Sequence, residues 1–260
     1  MQTDSVEKGE FRIVIPARLN STRLPGKVLL DIAGKPLVQH VWEQSVSSGA
    51  EQVVIATDDS RVARAAAGFG ATVCMTSDAC RSGTDRVAEV CQELAWTDDK
   101  PVVNVQGDAP LMPPKSIRTV AGLLLDNPGA EMATLCVGID SPKDYLDPNV
   151  VKVVFDRAGR ALYFSRSPIP ADSHGEQGAK AWKSAWRHLG LYAYRSEALQ
   201  RLASAEPCEL ESLELLEQLR AMWMGMTIMI APDTEDHGPD VDTQDDLLSV
   251  EAYLARKTSE

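Results

Sequence analysis

Short β-branched runs alternate along this chain with stretches in which apolar residues recur every three or four positions. Arg12–Pro16 (RIVIP) is the first such run and predicts a strand. After a turn-rich segment, Leu37, Val38, Val41, Trp42 and Ser45 recur at helical spacing behind Pro36, a residue suited to a first helical turn. Gln52–Thr57 (QVVIAT) predicts the next strand, and Asp58, Asp59 and Ser60 are placed to cap a helix ending at Phe69. Thr72–Met75 predicts a short strand, followed by a helix from about Gly83 to Leu94. Pro101–Gln106 (PVVNVQ) predicts a strand buried on both faces, because it lacks the polar alternation of a half-exposed one. A helix over Pro113–Leu125 and a strand over Met132–Val137 complete this half. Strands alternating with helices of such length imply parallel pairing through right-handed crossovers, hence a Rossmann-like doubly wound α/β sheet.

The second half changes texture. Val150–Phe155, Ala161–Phe164 and Leu189–Tyr194 predict strands, and the Pro-, Gly- and Ser-rich stretch Ser165–Gly178 predicts a long loop of the kind that forms lids or binding segments. Glu209–Met224 predicts one helix, Thr227–Ala231 a last strand, and Thr243–Leu254 a C-terminal helix opened by a Thr243/Asp246 capping box. No linker, composition break or internal repeat divides the chain. The expectation is one α/β domain over residues 11–258, elaborated in its second half, behind a flexible lead-in at residues 1–10.

Charge and composition act by exclusion. Acids exceed bases by 38 − 26 = 12, and a net charge of −12 argues against a nucleic-acid partner, which needs a basic face. No apolar run reaches the roughly 18 residues of a membrane span, so no membrane association is expected. The polar, acidic start lacks the cationic and apolar parts of a secretory signal. The five cysteines are scattered without a CxxC pair, which disfavours a zinc ribbon or a disulfide framework and suits reduced thiols in the cytoplasm.

Against this acidic background, the segment from Pro16 to Lys27 carries Arg18, Arg23 and Lys27 and no acid. Ligands of open parallel sheets bind beyond the carboxyl ends of the strands, and a cationic loop there suits a polyphosphate. Solvated surface charge is the bland alternative, and the location tips the balance. The loop is neither a P-loop, since Ser21 stands where that motif needs glycine, nor a GxGxxG turn. Asp108 closes the apolar strand VVNVQ, where an acid can hold a hard cation through oxygen or simply shape a turn. His188, Gly190 and Tyr192 share one face of their strand by period, opposite Leu189 and Leu191.

RxxSTRLPGK behind a strand, then DIAGKPL, resembles the sugar nucleotidyltransferases, and most of all the cytidylyltransferases that activate 3-deoxy-D-manno-octulosonate (Kdo). The resemblance continues through ATDD (Ala56–Asp59), SGTDR (Ser82–Arg86), NVQGD (Asn104–Asp108), ALYFSR (Ala161–Arg166), RHLGLYAY (Arg187–Tyr194), LEQLR (Leu216–Arg220) and VDTQDDL (Val241–Leu247). It spans residues 11 to about 255, and many ordered motifs outweigh any single one.

The resemblance implies a nucleotide-diphospho-sugar transferase fold with a smaller sugar-binding and dimerisation elaboration. It implies the reaction CTP + Kdo → CMP-Kdo + diphosphate, serving lipopolysaccharide synthesis in the cytoplasm, and a homodimer. It makes Asp108 and Asp242 ligands of Mg2+, and gives Arg18, Lys27, Asp108 and Asp242 the catalytic role. Ala17, Arg18, Arg23, Lys27, Ser82, Gly83, Thr84 and Arg86 would hold the nucleotide, and Gln106, Arg166, His188, Tyr192, Glu217 and Gln218 the sugar acid. Taken alone, Asp242 is better read as part of a helix cap, and Glu217 and Gln218 as a wet helix face. Three departures stand out: Ala109 where the family pattern reads QGDEP, Gln244 where proline follows VDT, and an added Asp240. Two rivals stay open, an enzyme for the 8-amino analogue or a sialic-type acid, and a catalytically silent nucleotide-binding protein on the same fold.

Overall fold

The computed structural model describes residues 8–19, 23–97, 99–171 and 181–257. Most of the expected lead-in, together with Ser21, Thr22 and the later part of the Ser165–Gly178 loop, lies outside the described residues. Nine strands share one sheet: β1 (Arg12–Pro16), β2 (Gln52–Thr57), β3 (Thr72–Met75), β4 (Val102–Asn104), β5 (Met132–Gly138), β6 (Lys152–Phe155), β7 (Ala161–Ser165), β8 (Trp186–Tyr194) and β9 (Ile228–Pro232). The order is β9-β5-β8-β4-β1-β2-β3, with β6 joining β8 to β7 at one side. The helices are α1 (Leu37–Ser47), α2 (Ser60–Gly68), α3 (Gly83–Glu93), α4 (Pro114–Leu125), α5 (Pro142–Leu146), α6 (Ser196–Ser204), α7 (Glu209–Glu214), α8 (Gln218–Trp223) and α9 (Gln244–Lys257).

β1 pairs in parallel with β2 and β4, β2 with β3, and β5 with β9, as the strand–helix alternation predicts. β1 is buried along its whole length because apolar clusters cover both faces. Ile13 and Ile15 enter one cluster with Leu37 and Val41 of α1 and Ile117 of α4. Val14 enters the other with Val87 and Val90 of α3 and Leu199 of α6. Each such side chain contributes about 1.5–3 kcal/mol of burial.

Three features depart from the sequence pattern. β8 runs antiparallel between β4 and β5, so the sheet is mainly rather than wholly parallel. Helices α5 and α6 stand outside the elements expected from the sequence, although α6 buries Ala198, Leu199 and Leu202 on one face. The single helix expected over Glu209–Met224 breaks at Leu215, which takes the left-handed conformation at φ 52°. Arg166 accounts for the break. Its Nε donates to the Glu214 carbonyl at 2.6 Å and its Nη2 to the Leu215 carbonyl at 3.4 Å, satisfying groups a continuous helix would use internally. The Glu214 carboxylate meanwhile accepts from the Ser165 hydroxyl at 2.7 Å and from the Arg166 N–H at 2.8 Å. These bonds offset the roughly 1–2 kcal/mol that a left-handed non-glycine residue costs.

The strand period on β8 holds. Its register against β5 shifts between Leu189 and Tyr192, yet His188 and Tyr192 still face one side with ring centroids 5.1 Å apart. Leu189 and Leu191 enter the opposite cluster.

Candidate active site

The carboxyl ends of β1 and β4 meet because residue 107 is glycine. A Cβ there would fall 2.6 Å from the Pro16 carbonyl oxygen, closer than any real contact. The adjacent Asp108 accepts the Val241 N–H on its carbonyl at 2.9 Å, and this bond carries Asp242, distant in sequence, to its side. Lys27 reaches the same point from a short turn. Gly26 opens that turn at φ 73°, a left-handed position suited to glycine, and closes the loop by donating to the Leu19 carbonyl at 2.9 Å.

Lys27 Nζ donates to Asp108 Oδ2 at 2.6 Å, Asp242 Oδ1 at 2.8 Å and the Val241 carbonyl at 2.9 Å. Burial pulls the lysine pKa down, but the two carboxylates outweigh it and the net shift is upward. Arg23 Nη2 adds a contact to Asp242 Oδ2 at 2.9 Å. This network borders a cavity of about 410 Å³ lined by Arg18, Arg23, Lys27, Gln106, Asp108 and Asp242, which has the charge and donor set for a polyphosphate.

A second cavity of about 300 Å³ shares Arg18, Gly83 and Gln106 with the first and adds Arg81, Ser82, Thr84, Tyr192, Glu217 and Gln218. Its rim is the start of α3. There Ser82 Oγ accepts from the Asp85 N–H at 3.1 Å and Asp85 Oδ2 accepts from the Ser82 N–H at 3.0 Å, a full capping box. The Tyr192 hydroxyl and the Gln218 amide nitrogen are buried without a protein partner. Such groups cost about 1–3 kcal/mol each unless a ligand or water satisfies them. Burial raises the Glu217 pKa, while Thr84 and Arg220 hold it down in part.

A third cavity, about 280 Å³, is lined by Asn149, Arg187, His188, Gly190, His237 and Asp240. Desolvation, then repulsion from Asp108 and Asp242, pushes the Asp240 pKa up to about 7, although part of its side chain stays open to solvent. Burial pushes the His188 imidazole down to about 3, and its Nε2 lies 3.0 Å from the Thr134 hydroxyl.

A family model described as cytidylyltransferase matches residues 12–228. A 3-deoxy-manno-octulosonate cytidylyltransferase of Thioalkalivibrio sulfidiphilus is 50% identical, covering 94% of this chain and 98% of its own. One from Coxiella burnetii is 47% identical over 94% of this chain and 100% of its own. The chain belongs to the 3-deoxy-manno-octulosonate cytidylyltransferase family. Among solved structures, a CMP:2-keto-3-deoxy-manno-octonic acid synthetase complexed with CTP superposes with a TM-score of 0.87 at 40% identity, covering 95% of this chain and 99% of that one.

In this cytidylyltransferase the residues expected to act together are only partly gathered. Arg18, Arg23, Lys27, Asp108 and Asp242 line the first cavity; Ser82, Thr84, Tyr192, Glu217 and Gln218 line the second; Gly83 and Gln106 line both. Ala17 is buried behind Gly107, its N–H donating to the Ala56 carbonyl at 2.8 Å. Arg86 lies beneath the cleft, with Nη2 at 2.6 Å from Asp58 Oδ2 and Nη1 at 2.6 Å from the Thr76 hydroxyl. His188 lines the third cavity and stacks behind Tyr192. Arg166 lines none of the three. Its guanidinium is spent on the Pro148, Glu214 and Leu215 carbonyls. The sequence reasoning missed Arg81 and Gly107. Gly107 was signalled by its place between a strand end and an acid, and Arg81 by a cation directly ahead of a helix-opening serine.

Proposed function

We propose that this protein transfers a cytidylyl group from CTP to 3-deoxy-D-manno-octulosonate, releasing diphosphate and supplying lipopolysaccharide synthesis. The observation that carries the reading is identity of 47–50% along almost the whole chain to relatives bearing that name. The CTP-complexed structural relative supports the nucleotide half. The two adjoining cavities fit a two-substrate reaction, the first cationic, the second lined by hydroxyl, amide and carboxyl groups.

The anomeric hydroxyl of the sugar acid attacks the α-phosphorus. A new P–O bond forms to the sugar, the bond to the bridging oxygen breaks, and diphosphate leaves with the electron pair while the hydroxyl proton passes to solvent. Arg18, Arg23 and Lys27 hold the triphosphate and oppose its charge. Ser82, Gly83 and Thr84 border the base and ribose, with Ala17 packed behind. Arg86 acts at a distance, fixing the first turn of α3 through Asp58 and Thr76. Gln106, Tyr192, Glu217 and Gln218 receive the sugar hydroxyls, and His188 backs Tyr192. Positioning both reactants in one cleft supplies much of the rate.

Asp108 and Asp242 fit a divalent cation. Two carboxylates converge on one ammonium, and no larger His, Cys, Asp or Glu cluster occurs among the described residues. Mg2+ asks for one or two carboxylates and takes its remaining ligands from phosphate and water. When bound, Mg2+ withdraws charge from the phosphoryl oxygens.

The test is diphosphate release by the purified protein with CTP, Mg2+ and a panel of sugar acids. Turnover with 3-deoxy-D-manno-octulosonate above its 8-amino analogue and sialic-type acids is the expected outcome; a reversed ranking overturns the substrate choice.

Residues 11–258 are read as one cytoplasmic nucleotidyltransferase domain. No helix among the described residues is long and apolar enough to cross a membrane. A homodimer is proposed through the second-half elaboration. Leu162, Leu213, Leu215 and Trp223 expose more than half of their surface on β7, α7, α8 and the turn between the helices, elements that pack on one another, and exposed apolar side chains of this kind suit an interface. Trp182 and Trp186 are partly buried, which leaves Trp223 as the exposed one of the three. Sedimentation is expected to give twice the chain mass, and Leu213→Asp to shift it toward the monomer. A wild-type monomer at micromolar concentration counts against the dimer.

A further inference from the structure

The second cavity needs a cation if its occupant is a carboxylate, because a buried carboxylate without a positive partner is costly. Arg166 is the arginine that the family resemblance supplies, yet its Nε, Nη1 and Nη2 point to backbone carbonyls at 2.6, 2.9 and 3.4 Å. Releasing it would take the arginine donors from the Glu214 and Leu215 carbonyls at the Leu215 break. Arg18 also borders this cavity, but it borders the phosphate cavity as well, and its Nη1 donates to the Arg81 carbonyl at 3.0 Å.

Arg81 is held differently. Its backbone is pinned on both sides, the carbonyl by Arg18 and the N–H by Asp85 Oδ2 at 2.9 Å. Arg81 borders the second cavity at an exposed position, and among the described residues its guanidinium has no hydrogen bond or ion pair. It therefore joins a fixed root to an uncommitted planar fork, the geometry that pairs a carboxylate through two parallel bonds. The same cavity offers the unpartnered Tyr192 hydroxyl and Gln218 amide nitrogen, together with Glu217. A cation bordering one cavity with hydroxyl-reading groups suits a receptor for a hydroxylated carboxylic acid.

We infer that Arg81 binds the carboxylate of the acceptor sugar acid and selects for it. The inference rests on the proposed cytidylyltransferase reaction. It makes the Arg81 side chain a specificity-determining group for the acid, while its backbone and the adjoining Ser82, Gly83 and Thr84 stay with the nucleotide.

Steady-state kinetics on the full chain decide it, with CTP and Mg2+ held saturating while the acid is varied, and the reverse. Arg81→Gln is expected to raise KM for the acid about 10- to 100-fold, the range of a lost charge-assisted pair, with KM for CTP changing less than about 3-fold. Arg81→Lys is expected to recover part of the loss, since it restores charge without the fork. The C1 carboxamide of the same sugar supplies a second reading. Wild type is expected to prefer the acid over the carboxamide, and Arg81→Gln to lose that preference. Three results overturn the assignment: an unchanged KM for the acid in Arg81→Gln, equal rises for both substrates, or a preference for the acid that persists in Arg81→Gln but vanishes in Arg166→Gln. If wild type itself turns over no sugar acid, the underlying reaction is wrong and the assignment falls with it, a result separable from the first three.

Discussion

Asp108→Asn lowers turnover by at least about 100-fold, the scale of losing a charge that acts mainly in the transition state. The substitution is nearly isosteric, so the effect measures charge rather than shape. Asp108 stands where β4 ends, beside a glycine that admits the β1 backbone, and its carboxylate lies 2.6 Å from Lys27 Nζ. An asparagine there still accepts a hydrogen bond from Lys27, but it holds a hard divalent cation far less well. The loss is expected in kcat at saturating CTP, sugar acid and Mg2+, with a raised requirement for Mg2+. Turnover within a few-fold of wild type at saturating Mg2+ excludes Asp108 as a ligand. Asp242 shares the same ammonium and should behave alike.

The parallel part of the fold was legible because its information is local. Each of β1, β2 and β3 is a short run followed by a helix with a clear period, and a right-handed crossover leaves little choice of neighbour. The insertion of β8 between β4 and β5 was not legible, because pairing across such a separation is decided by which edges are exposed when the strand arrives. The break at Leu215 was hidden for a related reason. Leucines at helical spacing predict a helix, and the donors that divert it belong to Arg166, far earlier in the chain.

The site divides in the same way. The cationic loop could be read from its own charges, and Asp108 from its place at a strand end. Asp242 could not be told from a helix cap by its neighbours, since Thr243 and Asp246 do form one: the Thr243 N–H donates to Asp246 Oδ2 at 2.8 Å. Long-range bonds bring it into the cleft, from the Val241 N–H to the Asp108 carbonyl and from Lys27 Nζ to the Val241 carbonyl and Asp242 Oδ1. Glu217 and Gln218 look like a wet helix face because they are polar, yet they border the second cavity at the start of α8 while Leu219 and Ala221 enter the core.

Lys27→Ala should weaken CTP much more than the sugar acid. Lys27 is the element common to both carboxylates and to the phosphate cavity, and its side chain is only 10% exposed. Removing it deletes a fixed positive charge beside the triphosphate, for which a KM increase of about 10- to 100-fold for CTP is expected, the range of one or two charge-assisted bonds. KM for the sugar acid, whose groups line the neighbouring cavity, is expected to stay within about 3-fold. A second effect follows from the two acids. Without Lys27, Asp108 and Asp242 face each other, relieved only by Arg23 on Asp242. Burial of the pair alone would suggest a cost of several kcal/mol, but Asp242 is 36% exposed and partly solvated, so about 1–2 kcal/mol is expected. In chelator the variant should therefore melt below wild type, and millimolar Mg2+ should recover more of its stability than it adds to wild type, because a cation that binds only the folded state stabilises it by mass action. Equal loss of affinity for both substrates would remove the phosphate role. A melting temperature unmoved by the substitution would mean that the two carboxylates do not need the ammonium between them.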